Sequence, residues 1–95
     1  MILIDNDRAE VRVDGKEIHL ARIEFAILNA LKLKDGKIAT REELAHAIDP
    51  VAAKQNAYRL RTIDAHICRI REKIGTKRRG LLKTVSTRGY KLVRG

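Results

Sequence analysis

The sequence predicts a small α+β domain in which an antiparallel sheet comes first, three helices follow and a β-hairpin ends the chain. Three observations carry that expectation. The apolar residues alternate at a period of two near the start and recur at a period near 3.6 further on. A turn-forming pair, Asp14-Gly15, separates two alternating runs. Late in the chain Ile63, Ile67, Ile70 and Ile74 fall on one narrow helical stripe. The 95 residues suffice for one domain, residues 1–95, whose core is adequate but thin.

Each element has its own justification. Ile2-Leu3-Ile4 is a short apolar run that stops at Asp5-Asn6-Asp7, a cluster of turn formers. Ala9 to Val13 alternates as a strand with one buried face does, and Asp14-Gly15 suits a type I′ hairpin turn, which needs φ > 0 at both central residues. Ile18 and Leu20 continue the alternation on the return strand. From Ala21 to Lys34 the apolar residues Ile23, Phe25, Ala26, Ile27, Leu28, Ala30, Leu31 and Leu33 cover most of a helix circumference, the pattern of a central buried helix, and Gly36 follows where a left-handed residue ends one.

Lys37-Ile38-Ala39 reads as a short extended link. Thr40-Arg41-Glu42-Glu43 has the form of a capping box and opens a second helix that runs to about Ile48, where Asp49-Pro50 ends it. Val51 to Leu60 has no clear period and reads as a loop, with room for a helical turn. The isoleucine stripe defines a third helix over Arg61–Ile74, closed by Gly75. Leu82–Val85 and Tyr90–Val93 are short strands around Ser86-Thr87-Arg88-Gly89.

Charge adds function to this outline. The net charge of +9 is unevenly placed: residues 1–53 carry eight basic and ten acidic side chains, a net of −2, whereas residues 54–95 carry 13 basic against Asp64 and Glu72, a net of +11. No linker or repeat marks the boundary, so the pattern is one domain with a basic face, and a basic face calls for a polyanion. No run of apolar residues is long enough for a membrane span and the N-terminus has no secretory-signal pattern, so no membrane partner is expected. The single cysteine, Cys68, forms no intramolecular disulfide and fits a reducing cytoplasm.

With the isoleucines inward, the third helix turns Arg61, Ala65, Cys68, Arg69 and Glu72 outward, flanked by Thr62, His66 and Lys73 on one side and by Asp64 and Arg71 on the other. Arginines that reach guanine edges bidentately, around a small residue that permits close approach, are what a major-groove helix needs. Charged residues on a helix usually just face water. Here a basic stretch follows: Thr76-Lys77-Arg78-Arg79, then Lys83, Arg88, Lys91 and Arg94 on the hairpin. A helix followed by a basic hairpin is the layout of a winged helix-turn-helix, and Arg88 at the tip suits a narrow minor groove.

The run Arg61-Thr62-Ile63-Asp64-Ala65-His66-Ile67-Cys68-Arg69-Ile70-Arg71-Glu72-Lys73-Ile74 resembles the recognition-helix signature of OmpR/PhoB-type winged-helix domains, the output domains of two-component response regulators. Val13-Asp14-Gly15, Leu20 with Glu24-Phe25, and Thr40 to Leu44 resemble the family's sheet and first two helices, and Thr84-Val85 with Gly89-Tyr90-Lys91-Leu92 its wing. The resemblance implies sequence-specific binding of double-stranded DNA in transcription regulation. Arg61, Thr62, Ala65, His66, Arg69 and Arg71 fall where the family contacts bases and phosphates, Thr84 at a wing backbone contact, and Tyr90 at a position that packs and touches the backbone. It also implies dimerisation on direct-repeat sites, and contact with RNA polymerase through residues 49–60.

The chain departs from the family pattern in three places. Ser86 and Thr87 stand where the wing usually has Arg-Gly, with Arg88 two places later; Cys68 replaces a common arginine; and the loop before the third helix is a few residues longer than the family pattern and lacks the usual Trp. A protein-interaction module of the same fold with weak or non-specific DNA binding is the alternative these departures permit.

Other chemistries fit less well. A thiol among arginines is a candidate redox switch, but a small residue in a reducing compartment is the simpler reading of Cys68. His66, Cys68, His19 and His46 lack a zinc spacing, and Gly75 to Gly80 lacks the Lys-Ser/Thr of a phosphate loop. No serine or cysteine has a base and orienting acid beside it in the sequence pattern, so neither an enzyme nor a cofactor is expected. With only Phe25, Tyr58 and Tyr90 aromatic, the chain lacks the stacking platforms of single-strand RNA readers.

Overall fold

A computed structural model describes residues 2–5, 7–51, 60–75 and 81–93, without the side chains of residues 60 and 61. Among them the element order is β1 (Ile2–Asp5), β2 (Glu10–Val13), β3 (Lys16–Ile18), α1 (Arg22–Leu33), α2 (Arg41–Ile48), α3 (Leu60–Ile74), β4 (Leu82–Val85) and β5 (Gly89–Leu92). The first three strands form an antiparallel sheet in the order β1-β2-β3. Asp14 and Gly15 turn β2 into β3 with φ of 51° and 84°, the two positive values that a type I′ turn requires. At the first turn Asp5 Oδ1 accepts from the amides of Asp7 and Arg8, so a side chain replaces the missing ladder partner.

The alternation of β2 has its expected consequence: Val11 and Val13 are buried and Arg12 is exposed. They meet a core built by Ile27, Leu28 and Leu31 of α1, Leu44 and Ala45 of α2, the four isoleucines of α3, and Leu82, Tyr90 and Leu92 of the hairpin. Ile63, Ile67 and Ile70 are fully buried, each contributing about 1.5–3 kcal/mol of apolar transfer free energy. One expectation changes here. The first helix is buried along one side rather than around its circumference, and Leu33 stands 77% exposed.

Caps fix where the helices start. Thr40 Oγ1 accepts from Glu43 N–H at 3.1 Å while Glu43 Oε1 accepts from Thr40 N–H at 3.2 Å, a complete capping box. Glu43 also pairs with Lys34 at the end of α1, and these contacts hold its carboxyl below the usual carboxylate range, the Lys34 bond being the larger cause. At α1 only the returning half is present: Glu24 Oε1 accepts from Ala21 N–H at 3.0 Å, because alanine has no oxygen to complete the pair.

The extended link before α2 does more than connect. Ala39 N–H donates to Tyr90 O at 2.8 Å and Tyr90 N–H to Ala39 O at 3.0 Å, so the link docks along β5 and seats the hairpin on the helices. Gly89 permits that approach. Its φ is 143°, and a Cβ there would overlap the Ala39 carbonyl oxygen and lie 2.9 Å from Thr40 Cα.

Candidate nucleic-acid interface

The third helix presents a buried and an exposed face, as the isoleucine spacing predicts. Ala65, Cys68, Arg69 and Glu72 are exposed, Thr62 is half-buried, and Arg88 is exposed in the turn of the hairpin. The side chain of Arg61, the segment 52–59 within the loop assigned to RNA polymerase, the basic run at 76–80, and Arg94 lie outside the described residues.

His66 departs from the expected exposed flank: it is only 8% exposed and its Nδ1 is buried without a hydrogen-bond partner. The cause is the neighbour that a wheel cannot show. The first turn of α1 packs over this side of α3, and His66 lines an open cavity of about 380 Å³ with Ala21, Arg22, Ile23, Glu24 and Arg69. Two turns further on, Lys73 Nζ lies 2.5 Å from Glu24 Oε1, joining the same two helices. Burial pushes the Glu24 carboxyl up, but the bonds from Lys73 and Ala21 outweigh it and hold the group below the usual carboxylate range.

The opposite flank of α3 is tied to the hairpin. Arg71 donates from Nε and Nη2 to Leu82 O at 3.1 and 2.9 Å, and from Nη2 to Thr84 Oγ1 at 2.8 Å. Its guanidinium also lies 5.7 Å from the centre of the Tyr90 ring, within cation–π range. Thr84 is exposed, while Tyr90 is buried with its hydroxyl donating to Asp64 Oδ1. Arg41 of α2 reaches the same oxygen at 2.8 Å and covers the Tyr90 ring at 5.3 Å.

This cluster sets the charge states of its members. Burial raises the Asp64 carboxyl, but the Tyr90 and Arg41 bonds prevail and hold it below its ordinary value. Burial and the Asp64 carboxylate together push the Tyr90 hydroxyl up, so it keeps its proton. The carboxylate also raises Arg41. Asp64 and Arg41 had no assigned role in the sequence, where 26 and 23 residues separate Asp64 from Tyr90 and Arg41. No local spacing signals such a pair; only the chain's return along Ala39 and β5 brings them together.

The outcome is an exposed strip on the third helix that includes Ala65 and Arg69, beside a hairpin tied to that helix through Arg71. No helix among the described residues is long and apolar enough to cross a membrane.

Known proteins share both sequence and shape. The family described as "Transcriptional regulatory protein, C terminal" matches residues 15–92. The cell cycle transcriptional regulator CtrA of Caulobacter vibrioides is 30% identical over 93 residues, covering 96% of this chain and 39% of CtrA; the chain thus spans about two fifths of that relative. The crystallised DNA-binding domain of the response regulator AdeR, in complex with an intercistronic region, is 26% identical, with a TM-score of 0.78 over 99% of this chain and 95% of that one. The response regulator DrrB of Thermotoga maritima, an OmpR/PhoB homologue, is 33% identical with a TM-score of 0.80, covering 98% of this chain and 42% of DrrB. The chain belongs to the transcriptional regulatory protein C-terminal family, as a winged-helix domain of the OmpR/PhoB type.

Proposed function

We propose that residues 1–95 act as one cytoplasmic DNA-binding unit of a two-component response regulator, binding double-stranded DNA at specific sites to regulate transcription. The observation that carries this reading is the buried isoleucine stripe beneath exposed Ala65 and Arg69, set beside a hairpin whose turn exposes Arg88. In this reading α3 enters the major groove, where Arg69 meets a guanine edge and Ala65 a thymine methyl, with Arg61 and Thr62 at the helix start. The hairpin follows the adjacent backbone or minor groove through Thr84 and Arg88. The family membership supports the DNA partner, as does the AdeR domain solved on DNA. Contact with RNA polymerase through residues 49–60 and pairing of two copies on direct repeats belong to the same proposal.

Selection of binding sites from a random duplex pool tests it. An enriched site at physiological salt is the expected result. Log affinity falls with log salt at a slope near −5 if roughly six phosphates are neutralised. A pool with no enrichment would overturn the specific reading, and negligible binding even at low salt would favour a protein-interaction module of the same fold.

A further inference from the structure

We infer that Arg71 is a positioning residue: it serves DNA binding by fixing the hairpin against the recognition helix, not by touching the duplex itself. This rests on the DNA-binding reading above. The guanidinium is already engaged on three sides, by Leu82 O, by Thr84 Oγ1 and by the face of Tyr90. Both acceptors lie on β4, and Tyr90 lies on β5, so one side chain of α3 grips both strands. Tyr90 is held in turn by Asp64, and Asp64 by Arg41 from α2.

The geometry has a functional consequence. Arg69 and Arg88 stand on different elements, and their offset must match the distance from the major groove to the neighbouring minor groove. The Ala39 bridge and the buried Leu82, Tyr90 and Leu92 seat the base of the hairpin, while Ser86, Thr87 and Arg88 of its turn stand exposed. Arg71 supplies the bracing: a planar fork meets two acceptors and an aromatic face at once, which a lysine ammonium cannot reproduce. Thr84 accordingly acts as a socket for that fork before it acts on any phosphate.

The test compares Arg71→Gln, Arg71→Lys, Arg88→Ala and the Arg71→Gln/Arg88→Ala double variant of the full chain. Without DNA, backbone order parameters for Ser86–Gly89 are measured by nitrogen-15 relaxation, with α1 as the control for folding. Arg71→Gln is expected to drop them from about 0.85 towards 0.6 while α1 stays rigid. Arg71→Lys should fail to restore them. With a random-sequence duplex pool at low salt, and then with any site selected from it, Arg71→Gln should weaken binding about five- to tenfold. It should leave the salt slope unchanged, and adding Arg88→Ala should cost little more.

Unchanged order parameters would overturn the inference. So would an additive loss with Arg88→Ala together with a salt slope reduced by about one, the mark of a lost phosphate contact. If Arg71→Gln does not fold, Thr84→Val removes one of the two acceptors and is read by the same order parameters. If the wild-type chain binds no duplex, the DNA reading fails, and the relaxation data alone decide whether Arg71 braces the hairpin.

Discussion

Lys73 Nζ of α3 and Glu24 Oε1 of α1 lie 2.5 Å apart, and the two partners sit in different surroundings: the Glu24 side chain is 5% exposed and that of Lys73 40%. Removing either one therefore has unequal effects. Lys73→Met leaves a buried carboxylate supported by the Ala21 amide, and should cost about 1–2 kcal/mol, less than a fully buried pair because solvent screens the ammonium. Glu24→Gln leaves a lysine that water can solvate and an amide oxygen that still accepts from Ala21, so the loss should be smaller. A depressed carboxyl contributes stability that is present above its unfolded value and is lost as pH falls through the folded one. Urea unfolding of the wild type should therefore show declining stability below about pH 4, in the carboxylate range. In Lys73→Met the Glu24 share of that decline should vanish, and a variant as acid-sensitive as wild type would contradict the assignment.

Ala21 offers a gain. It stands at the N-cap of α1 with φ −64° and ψ 159°, nearly the −73° and 161° of Thr40 at the cap of α2. Glu24 already makes the returning half of a capping box. Ala21→Ser supplies the missing acceptor on a backbone already shaped for it, and should stabilise the domain by about 0.5–1 kcal/mol. Thr40→Ala is the converse and should cost about 1 kcal/mol. Thermal unfolding of the two variants, measured side by side, checks both signs.

These two caps show what was legible in the sequence and what was not. Thr40-x-x-Glu43 announces itself because both halves of the motif are local; Ala21-x-x-Glu24 does not, because the cap residue is silent. The isoleucine stripe and the Asp14-Gly15 turn are likewise local and were readable. His66 is buried where the wheel sets it on the outward flank, because a wheel carries the axis of its own helix but not the start of α1 over this flank. The Arg41–Asp64–Tyr90–Arg71 cluster joins three elements far apart in the chain, so its members read only as a solvated charge or as isolated interface residues.

Gly89 tests how the hairpin is seated. The residue is required twice, by its φ of 143° and by the close passage of Ala39 and Thr40. Gly89→Ala places a methyl against a backbone that cannot withdraw without breaking the paired Ala39–Tyr90 hydrogen bonds. A loss of about 2–4 kcal/mol is expected, well above that of a surface substitution. Gly15→Ala is the matched control: its φ is also positive, at 84°, but nothing lies within 4 Å of the added atom. It should cost about 1 kcal/mol, the backbone share alone. Equal losses at the two sites would mean that the Ala39 contact has little weight.

Arg69 is the residue whose removal distinguishes reading a sequence from holding a backbone. It is exposed, sits one turn from Ala65 on the outward face of α3, and has none of the hairpin bonds that occupy Arg71. If it pairs with a guanine edge, Arg69→Ala should cost about 1–3 kcal/mol on the selected site, and much less on random duplexes. The variant should also tolerate all four base pairs at one position of that site while the others keep their preference. Arg69→Lys should retain part of the affinity through charge but lose the bidentate fit, and with it the preference at that position. Equal losses on selected and random DNA, with the salt slope reduced by about one, would instead make Arg69 a phosphate contact and move base reading to the start of the helix, at Arg61 and Thr62.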